Sequence, residues 1–174
     1  MATVLVTPWA TFDPINVPKL AVIAFGGFIT LAALLVSANA LITRRHRTVL
    51  VVSGLFVLDL TLVFFFAGTN PYQEFFGTYG RATGFVAYIA LTALFIGAVV
   101  IASAKFVSSF ARTLLIAGGL SIGYGLLQTI GADPIKWVNQ YSPTIGFLGN
   151  PNFQSSFVGF SGILAFGFIC AQEI

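Results

Sequence analysis

Charged side chains are scarce in this sequence, which has eight Lys and Arg and five Asp and Glu residues among 174. They make up 7% of the chain, whereas hydrophobic residues make up 57% and the mean hydropathy is +0.97. Soluble domains carry roughly 25% charged residues, so most of this surface cannot face water. The shortage of charge excludes a soluble globular domain and indicates an integral membrane protein.

Cysteine and histidine are almost absent, with one residue of each. The single Cys170 can form no intrachain disulfide and no thiolate metal cluster. His46 stands among arginines, and no His, Cys or carboxylate spacing is typical of a metal site. The basic residues are scattered between apolar runs and form no basic face with interleaved aromatics. We therefore expect no metal, no cofactor and no nucleic-acid partner.

Long apolar runs dominate the sequence. A membrane-spanning helix needs about 20 mostly apolar residues, and five stretches meet this requirement. The sequence therefore predicts an all-α integral membrane protein in which residues 1–174 form a single transmembrane helical domain. The five predicted spans are residues 20–42, 49–68, 85–103, 113–131 and 153–171.

The basic residues of the short connections predict the orientation. Five lie on one side of the predicted bundle and three on the other, and the richer side is expected in the cytoplasm. The five are Arg44, Arg45, Arg47, Lys105 and Arg112, and the three are Lys19, Arg81 and Lys136. Residues 1–19, 69–84 and 132–152 are therefore predicted outside the cytoplasm, with the N-terminus outside and the C-terminus inside.

The end of the second outer segment predicts a capped helix start. The side-chain oxygen of Asn150 can accept from a free backbone N–H of the first turn, and Pro151 suits the first helical position. Gly149 permits a tight backbone entry, and Asn152 completes the Gly-Asn-Pro-Asn element. Helix starts carry a partial positive charge and free donors, so this one is a candidate anion site.

Arg81 is the basic side chain that would complete such a site. It precedes the predicted start of span three, where Thr83 and Gly84 fall in the first turn, and its guanidinium can bind two oxygens at once. Two helix starts and one guanidinium on the same membrane face predict a phosphate or diphosphate site. The alternative is a well-capped helix and an arginine that reaches the lipid headgroups.

Three polar residues fall inside predicted spans. An isolated charge such as Asp59 costs at least about 2.5 kcal/mol near the centre of a bilayer, so we expect it to be protonated or paired within the bundle. Tyr124 and Gln128 lie at a comparable depth or slightly further out. A structural hydrogen bond and a proton or ion pathway are the two interpretations.

Two further patterns indicate helix packing and the membrane interface. Gly119 and Gly123 form a GxxxG spacing, which lets helix backbones approach closely. Four aromatic residues stand where an interfacial aromatic belt is expected, and stacking on a sugar ring is their functional alternative. These are Tyr72, Tyr79, Trp137 and Tyr141.

Several segments, in order, resemble the O-antigen ligase and O-antigen polymerase family of bacterial inner-membrane proteins. The most specific is Gly146-Phe-Leu-Gly-Asn-Pro-Asn-Phe153, preceded by Leu127-Gln-Thr-Ile-Gly-Ala-Asp-Pro-Ile-Lys-Trp137. Gly77-Thr-Tyr-Gly-Arg-Ala-Thr-Gly84 is similar to the family's segment with an Arg shortly before a Gly. Phe12-Asp-Pro-Ile-Asn-Val-Pro-Lys19 looks like the beginning of an early span of that family.

The resemblance implies an enzyme that uses an undecaprenyl-diphosphate-linked glycan on the periplasmic side of the inner membrane. Such proteins ligate the glycan to a lipid A core or a protein, or polymerise repeat units, without a metal or nucleotide sugar. Arg81 would hold the diphosphate and the start of span five would assist. Family members have about twice as many spans and a large outer loop, so we expect this chain to be an amino-terminal portion that does not catalyse by itself.

Two other functions fit the sequence. A small-solute membrane transporter would use Asp59 as its coupling group, and an accessory membrane subunit would only pack against partner helices. The sequence predicts neither the acceptor nor the sugar, and it does not predict the oligomeric state.

Overall fold

The computed structural model describes residues 13–37, 46–68, 70–135, 137, 142 and 144–172. The regular structure in these ranges is α-helical. The chain divides into two compact units, one formed by Asn16–Ala102 and the other by Met1–Ile15 with Ser103–Ile174. We call them the amino-terminal unit and the carboxy-terminal unit. The single helical domain predicted from the sequence is thus made of two separately packed parts.

Six helices occur in the described ranges, and the predicted all-α membrane fold is confirmed. Four of them, α1, α2, α5 and α6, are long and apolar enough to cross a membrane. Helix α4 has 16 residues and is about 24 Å long, shorter than the roughly 30 Å of bilayer hydrocarbon. The helices are α1 (Asn16–Val36), α2 (Arg47–Phe66), α3 (Pro71–Phe76), α4 (Phe85–Val100), α5 (Ala104–Thr129) and α6 (Pro151–Gln172).

The largest difference from the predicted spans is at the start of α5. This helix begins at Ala104, nine residues before predicted span 113–131, so Lys105 and Arg112 lie on a helix and not in a connection. Ser103 explains the early start, because its Oγ accepts from the N–H of Phe106 at 3.2 Å and caps the helix. Hydropathy locates the part of a helix suited to hydrocarbon, whereas the cap decides where the helix begins.

The short helix α3 was not predicted from the sequence. Asn70 caps it by accepting from the N–H of Tyr72 at 3.0 Å, and Pro71 occupies the first helical position. The rings of Phe64, Phe75 and Phe85 pack together and attach α3 to α2 and α4. This contact places the segment that follows α3 beside the start of α4.

Small residues bring α1 and α4 together in the amino-terminal unit. Ala90, Ala93 and Gly97 are buried on one face of α4. A Cβ added to Gly27 of α1 would lie 2.5 Å from the Cβ of Ala90, so these backbones are in close contact. Close approach through small residues is typical of helix packing in membranes, where van der Waals contact replaces the hydrophobic effect.

Polar side chains join α5 and α6 in the carboxy-terminal unit. The Ser121 hydroxyl donates to Gln154 Oε1 at 3.0 Å, and Gln154 Nε2 donates to the Ser121 carbonyl at 2.9 Å. Both residues are buried. One turn earlier on α5, Gly118 lies directly against the side chain of Ser161. Paired hydrogen bonds of this kind stabilise helix contacts in an apolar solvent, because each buried polar group has a partner.

Helix α5 ends in a Schellman motif. Gly131 has φ +73°, and its N–H donates to the carbonyl of Gln128 at 3.1 Å. The N–H of Ala132 donates to the carbonyl of Leu127 at 2.9 Å. This pair of bonds satisfies carbonyls that the helix leaves open, and it turns the chain back towards α5. The turn places Asp133 next to the last residues of the helix.

Candidate functional site

Residues 77–84 form a closed loop between α3 and α4, which we call the Arg81 loop. Gly77 has φ +90° and meets Gly84 where the loop closes. A Cβ added to Gly84 would lie 2.5 Å from the carbonyl oxygen of Phe75, so no larger residue fits there. The N–H groups of Arg81 and Ala82 both donate to the Thr78 carbonyl at 3.1 Å. The loop is therefore held together by its own backbone.

Helix α1 fixes the tip of this loop. Asn16, the first residue of α1, donates from Nδ2 to the Gly80 carbonyl at 2.8 Å. The opposite end of the loop continues directly into α4 at Phe85. With the aromatic contacts of α3, these attachments position Arg81 relative to the first turn of α4.

Arg81, Thr78, Thr83 and Gly84 line a cleft of about 270 Å³, which we call the Arg81 cleft. Gly84 is the N-cap of α4 and has no side chain with which to bond the first-turn N–H groups. An uncapped helix start next to a guanidinium favours an anion. Glu74 of α3 lines the same cleft, so an anion would need to lie on the side of Arg81 and α4.

The start of α6 has the geometry predicted from the Gly-Asn-Pro-Asn element. Asn150 Oδ1 accepts from the N–H of Asn152 at 2.9 Å, and the Asn150 carbonyl accepts from the N–H of Gln154 at 2.9 Å. Gly149 has φ +71°, and a Cβ there would lie 2.6 Å from Cδ1 of Ile15. The Asn152 N–H is thus bonded by the cap and is not available to a ligand. As an anion site, the start of α6 is weaker than that of α4.

Gln128 connects the end of α5 to two segments of the following loop. Its Oε1 accepts from the N–H groups of Ile145 and Gly146 at 3.0 and 2.8 Å. Its Nε2 donates to Asp133 Oδ2 at 2.9 Å. Gln128 is 4% exposed, so a side chain without these groups would leave buried donors without partners. Gln128 therefore serves the structure of the unit.

Tyr124, Gln128 and Trp137 surround Asp133, and we call these four residues the Asp133 cluster. The Tyr124 hydroxyl donates to Asp133 Oδ2 at 3.0 Å and accepts from Trp137 Nε1 at 2.8 Å. The ring of Tyr124 stacks on that of Phe147 at 4.3 Å. Of the two interpretations of Tyr124 and Gln128, these contacts favour the structural hydrogen bond. Trp137, which was expected in an aromatic belt, also donates a hydrogen bond to Tyr124 and so takes part in this cluster.

Hydrogen bonds stabilise the charged form of Asp133. Burial raises the pKa of this carboxyl, but donors from the Ile135 backbone, Gln128, Tyr124 and Trp137 lower it further than burial raises it. The net pKa lies below its ordinary value. The role of Asp133 as a structural centre was not predicted from the sequence. Its signal was an Asp-Pro pair that begins two residues after the helix-ending Gly131, which is typical of a side-chain-capped turn.

Asp59 lies on the surface of the amino-terminal unit. It is exposed, whereas Ser53 is buried and Val57, Leu60 and Phe64 are half-buried on the packed face of α2. Asp59 was expected to be protonated or paired within the bundle, and in this unit it lies on the exposed face of α2. A carboxyl on the outer face of an apolar helix must be neutral or covered when the helix is in a bilayer.

The predicted site residues fall in both units. Arg81 belongs to the amino-terminal unit, and Gly149, Asn150 and Asn152 belong to the carboxy-terminal unit. Each group has the local geometry of a helix start. Five residues named above, Phe12, Arg44, Arg45, Lys136 and Tyr141, lie outside the described residues.

Within the described ranges, no three His, Cys, Asp or Glu side chains group so as to hold a metal ion. The chain matches no protein-family model, no curated protein and no solved structure.

Proposed function

We propose that this multi-pass membrane protein is part of an inner-membrane glycan ligase or polymerase, and that Arg81 binds the diphosphate of an undecaprenyl-linked glycan at the periplasmic side. One observation carries the proposal: Arg81 and the uncapped start of α4 line a single cleft. A diphosphate has two adjacent anionic groups, and a guanidinium with helix N–H donors matches both.

The alternative for Arg81 is contact with ordinary lipid headgroups. An arginine that only reaches headgroups needs no built surroundings, because a flexible side chain at a helix end suffices. Arg81 instead lies in a loop closed by two glycines and attached to α1 through Asn16. A loop held this firmly supports binding of a particular anion.

The chemistry requires little more than stabilisation of the leaving group. The bond between the anomeric carbon and the diphosphate oxygen breaks, and a bond to the acceptor oxygen forms as the acceptor loses its proton. Negative charge therefore grows on the diphosphate, where donors held in advance stabilise it. Arg81 and the N–H groups of α4 are suited to this task. The acceptor is a lipid A core, a protein or a growing glycan.

Binding to purified chain in nanodiscs tests the proposal. The probe is an isoprenyl diphosphate, compared with the uncharged isoprenyl alcohol. We expect Arg81→Ala to weaken diphosphate binding about tenfold or more, since bonds to charged groups contribute about 1.5–3 kcal/mol. Arg81→Lys should recover only part of the affinity.

Arg112→Ala is the control, because Arg112 is an exposed arginine of the other unit. In cells that carry the intact system, Arg81→Ala should also reduce glycan transfer without changing membrane insertion. Unchanged diphosphate binding by Arg81→Ala would show that this role is wrong.

A small-solute transporter is the alternative that Asp59 would support. An ion-coupled carrier needs a carboxyl that alternates between protonated and charged forms. Asp59→Asn should then abolish coupled uptake into proteoliposomes, whereas a glycan ligase should be almost unaffected. An accessory subunit that only packs against partners should show neither activity.

A further inference from the structure

A second cavity runs between α2 and α4, on the side of the amino-terminal unit that contains Tyr88. It has a volume of about 340 Å³. Helix α2 contributes Val52, Ser53 and Phe56 to its walls, and α4 contributes Leu91 and Phe95 together with Tyr88 and Thr92. Most of these side chains are apolar, so the cavity offers a surface for hydrocarbon.

This cavity and the Arg81 cleft share one lining residue, Tyr88. Both lie between α2 and α4. Helix α2 contributes Val52 to the second cavity and Phe64 to the cleft, and these residues are about 18 Å apart along the helix at about 1.5 Å per residue. We call the two neighbouring cavities together the α2–α4 furrow. Only its Arg81 end is strongly polar.

Size and polarity together select the occupant. A helix of about 10 Å diameter with its side chains could lie across the mouth of such a cavity but not inside it. A single hydrocarbon chain is narrow enough. An amphiphile with an anionic head and one long chain matches a furrow that has a guanidinium at one end and apolar walls along the rest.

We infer that the α2–α4 furrow binds the hydrocarbon chain of the lipid whose diphosphate lies at Arg81. The inference rests on the proposed function and adds the site of the chain. Tyr88 stands at the junction, where its ring contacts Phe56 edge to face at 6.3 Å. We expect the affinity for a lipid diphosphate to increase with the length of its hydrocarbon chain, because a longer chain contacts more of the α2 and α4 walls.

Two neighbouring valines of α2 provide a matched test. Val52 lines the furrow and is 60% exposed, whereas Val51 does not line it and is 53% exposed. Successive residues of a helix are about 100° apart, so Val51→Trp adds the same bulk on another face. Leu91→Trp fills the furrow from α4 and serves as a second variant.

The measurement compares geranyl diphosphate, which has a short chain, with decaprenyl diphosphate in phosphatidylcholine nanodiscs. We expect the wild type to bind the long chain more tightly. Val52→Trp and Leu91→Trp should weaken long-chain binding about tenfold and leave short-chain binding unchanged, and Val51→Trp should bind both like the wild type. If only one of Val52→Trp and Leu91→Trp folds, the comparison with Val51→Trp is made with that variant alone.

Other outcomes overturn the inference in distinguishable ways. If the wild type binds both chain lengths equally, or if Val51→Trp and Val52→Trp have equal effects, bulk phospholipid fills the furrow and the inference is wrong. Diphosphate binding that depends on Arg81 would then still support the proposed function. Furrow variants that weaken both diphosphates equally act on the cleft and also contradict the inference. Failure of both diphosphates to bind overturns the proposed function as well.

Discussion

Single side chains at the end of α5 determine how the following loop is held. The carboxamide of Gln128 accepts two backbone N–H groups of that loop and donates to Asp133. In a buried position each lost bond costs about 1–3 kcal/mol, because the stranded group has no water to bond. Gln128 therefore holds two segments of this loop against the end of α5.

The first prediction is that Gln128→Leu destabilises the chain by about 2 kcal/mol or more. Thermal unfolding in detergent, followed by circular dichroism, measures the effect. Leu126→Ala is the control, because Leu126 is exposed on the same helix and should change the unfolding temperature little. Unchanged stability of Gln128→Leu would contradict the hydrogen-bond network described above.

The second prediction concerns pH. The pKa of Asp133 is lower in the folded than in the unfolded chain, so its charged form stabilises the fold above the unfolded value of about 3.9. That contribution is lost as the pH falls below about 3.9 and through the lower folded pKa.

Fluorescence of Trp137 reports this loss, since its Nε1 is bonded to Tyr124 within the cluster. In a Trp9→Phe background Trp137 is the only tryptophan, because the chain has two. We expect a transition below about pH 3.9 that Asp133→Asn removes. A transition that persists unchanged in Asp133→Asn would assign it to another group.

Helix packing in both units depends on where small residues lie, and sequence spacing alone does not predict it. The GxxxG pair Gly119 and Gly123 was expected at a helix contact, yet a Cβ at either position would meet nothing within 4 Å. The residue in contact is the neighbouring Gly118, which lies against Ser161. Neighbouring residues of a helix point in directions about 100° apart, so Gly118 and Gly119 face different surroundings.

The third prediction compares these adjacent glycines of α5. Gly118→Leu should separate α5 from α6 and destabilise the chain by about 1–3 kcal/mol, the usual effect of overpacking. Gly119→Leu adds the same side chain to open space and should be close to neutral. Unfolding of both variants in detergent checks the difference, and equal destabilisation would mean that Gly119 is also packed.

At the scale of the whole molecule, the proposed function requires one topology. The Arg81 loop and the start of α6 must both lie at the non-cytoplasmic surface, because the donor lipid presents its diphosphate there. The predicted orientation depends on a small excess of basic residues on the opposite side, and two of these, Lys105 and Arg112, lie on α5.

The fourth prediction is tested by cysteine labelling in cells. In a Cys170→Ser background, Tyr79→Cys and Asn152→Cys should react with a membrane-impermeant maleimide from outside the inner membrane. Tyr79 is 71% exposed and Asn152 is also exposed, so both positions are accessible. His46→Cys is the control and should react only after permeabilisation. Reaction of Tyr79→Cys only from the cytosol would rule out the proposed periplasmic site.

The local sequence was sufficient to predict the membrane character and the starts of α4 and α6. Apolar runs predicted the helices because lipid requires both an apolar surface and an internally bonded backbone. Asn150, Pro151 and Gly149 predicted the start of α6 because a cap involves only neighbouring residues. In the same way, the predicted start of span three coincides with that of α4 at Phe85.

Contacts between distant residues decided the rest. Asp59 was expected to be protonated or paired, but the face on which α2 packs is determined by α3 and α4 and not by its own sequence. Asp133 became the centre of a cluster because the Schellman turn after α5 brings it back to Gln128 and Tyr124. Composition and short motifs thus determined that the chain enters a membrane and where α4 and α6 begin. Only the tertiary structure decided which polar groups meet, because burial and hydrogen bonding depend on neighbours that are far away in sequence.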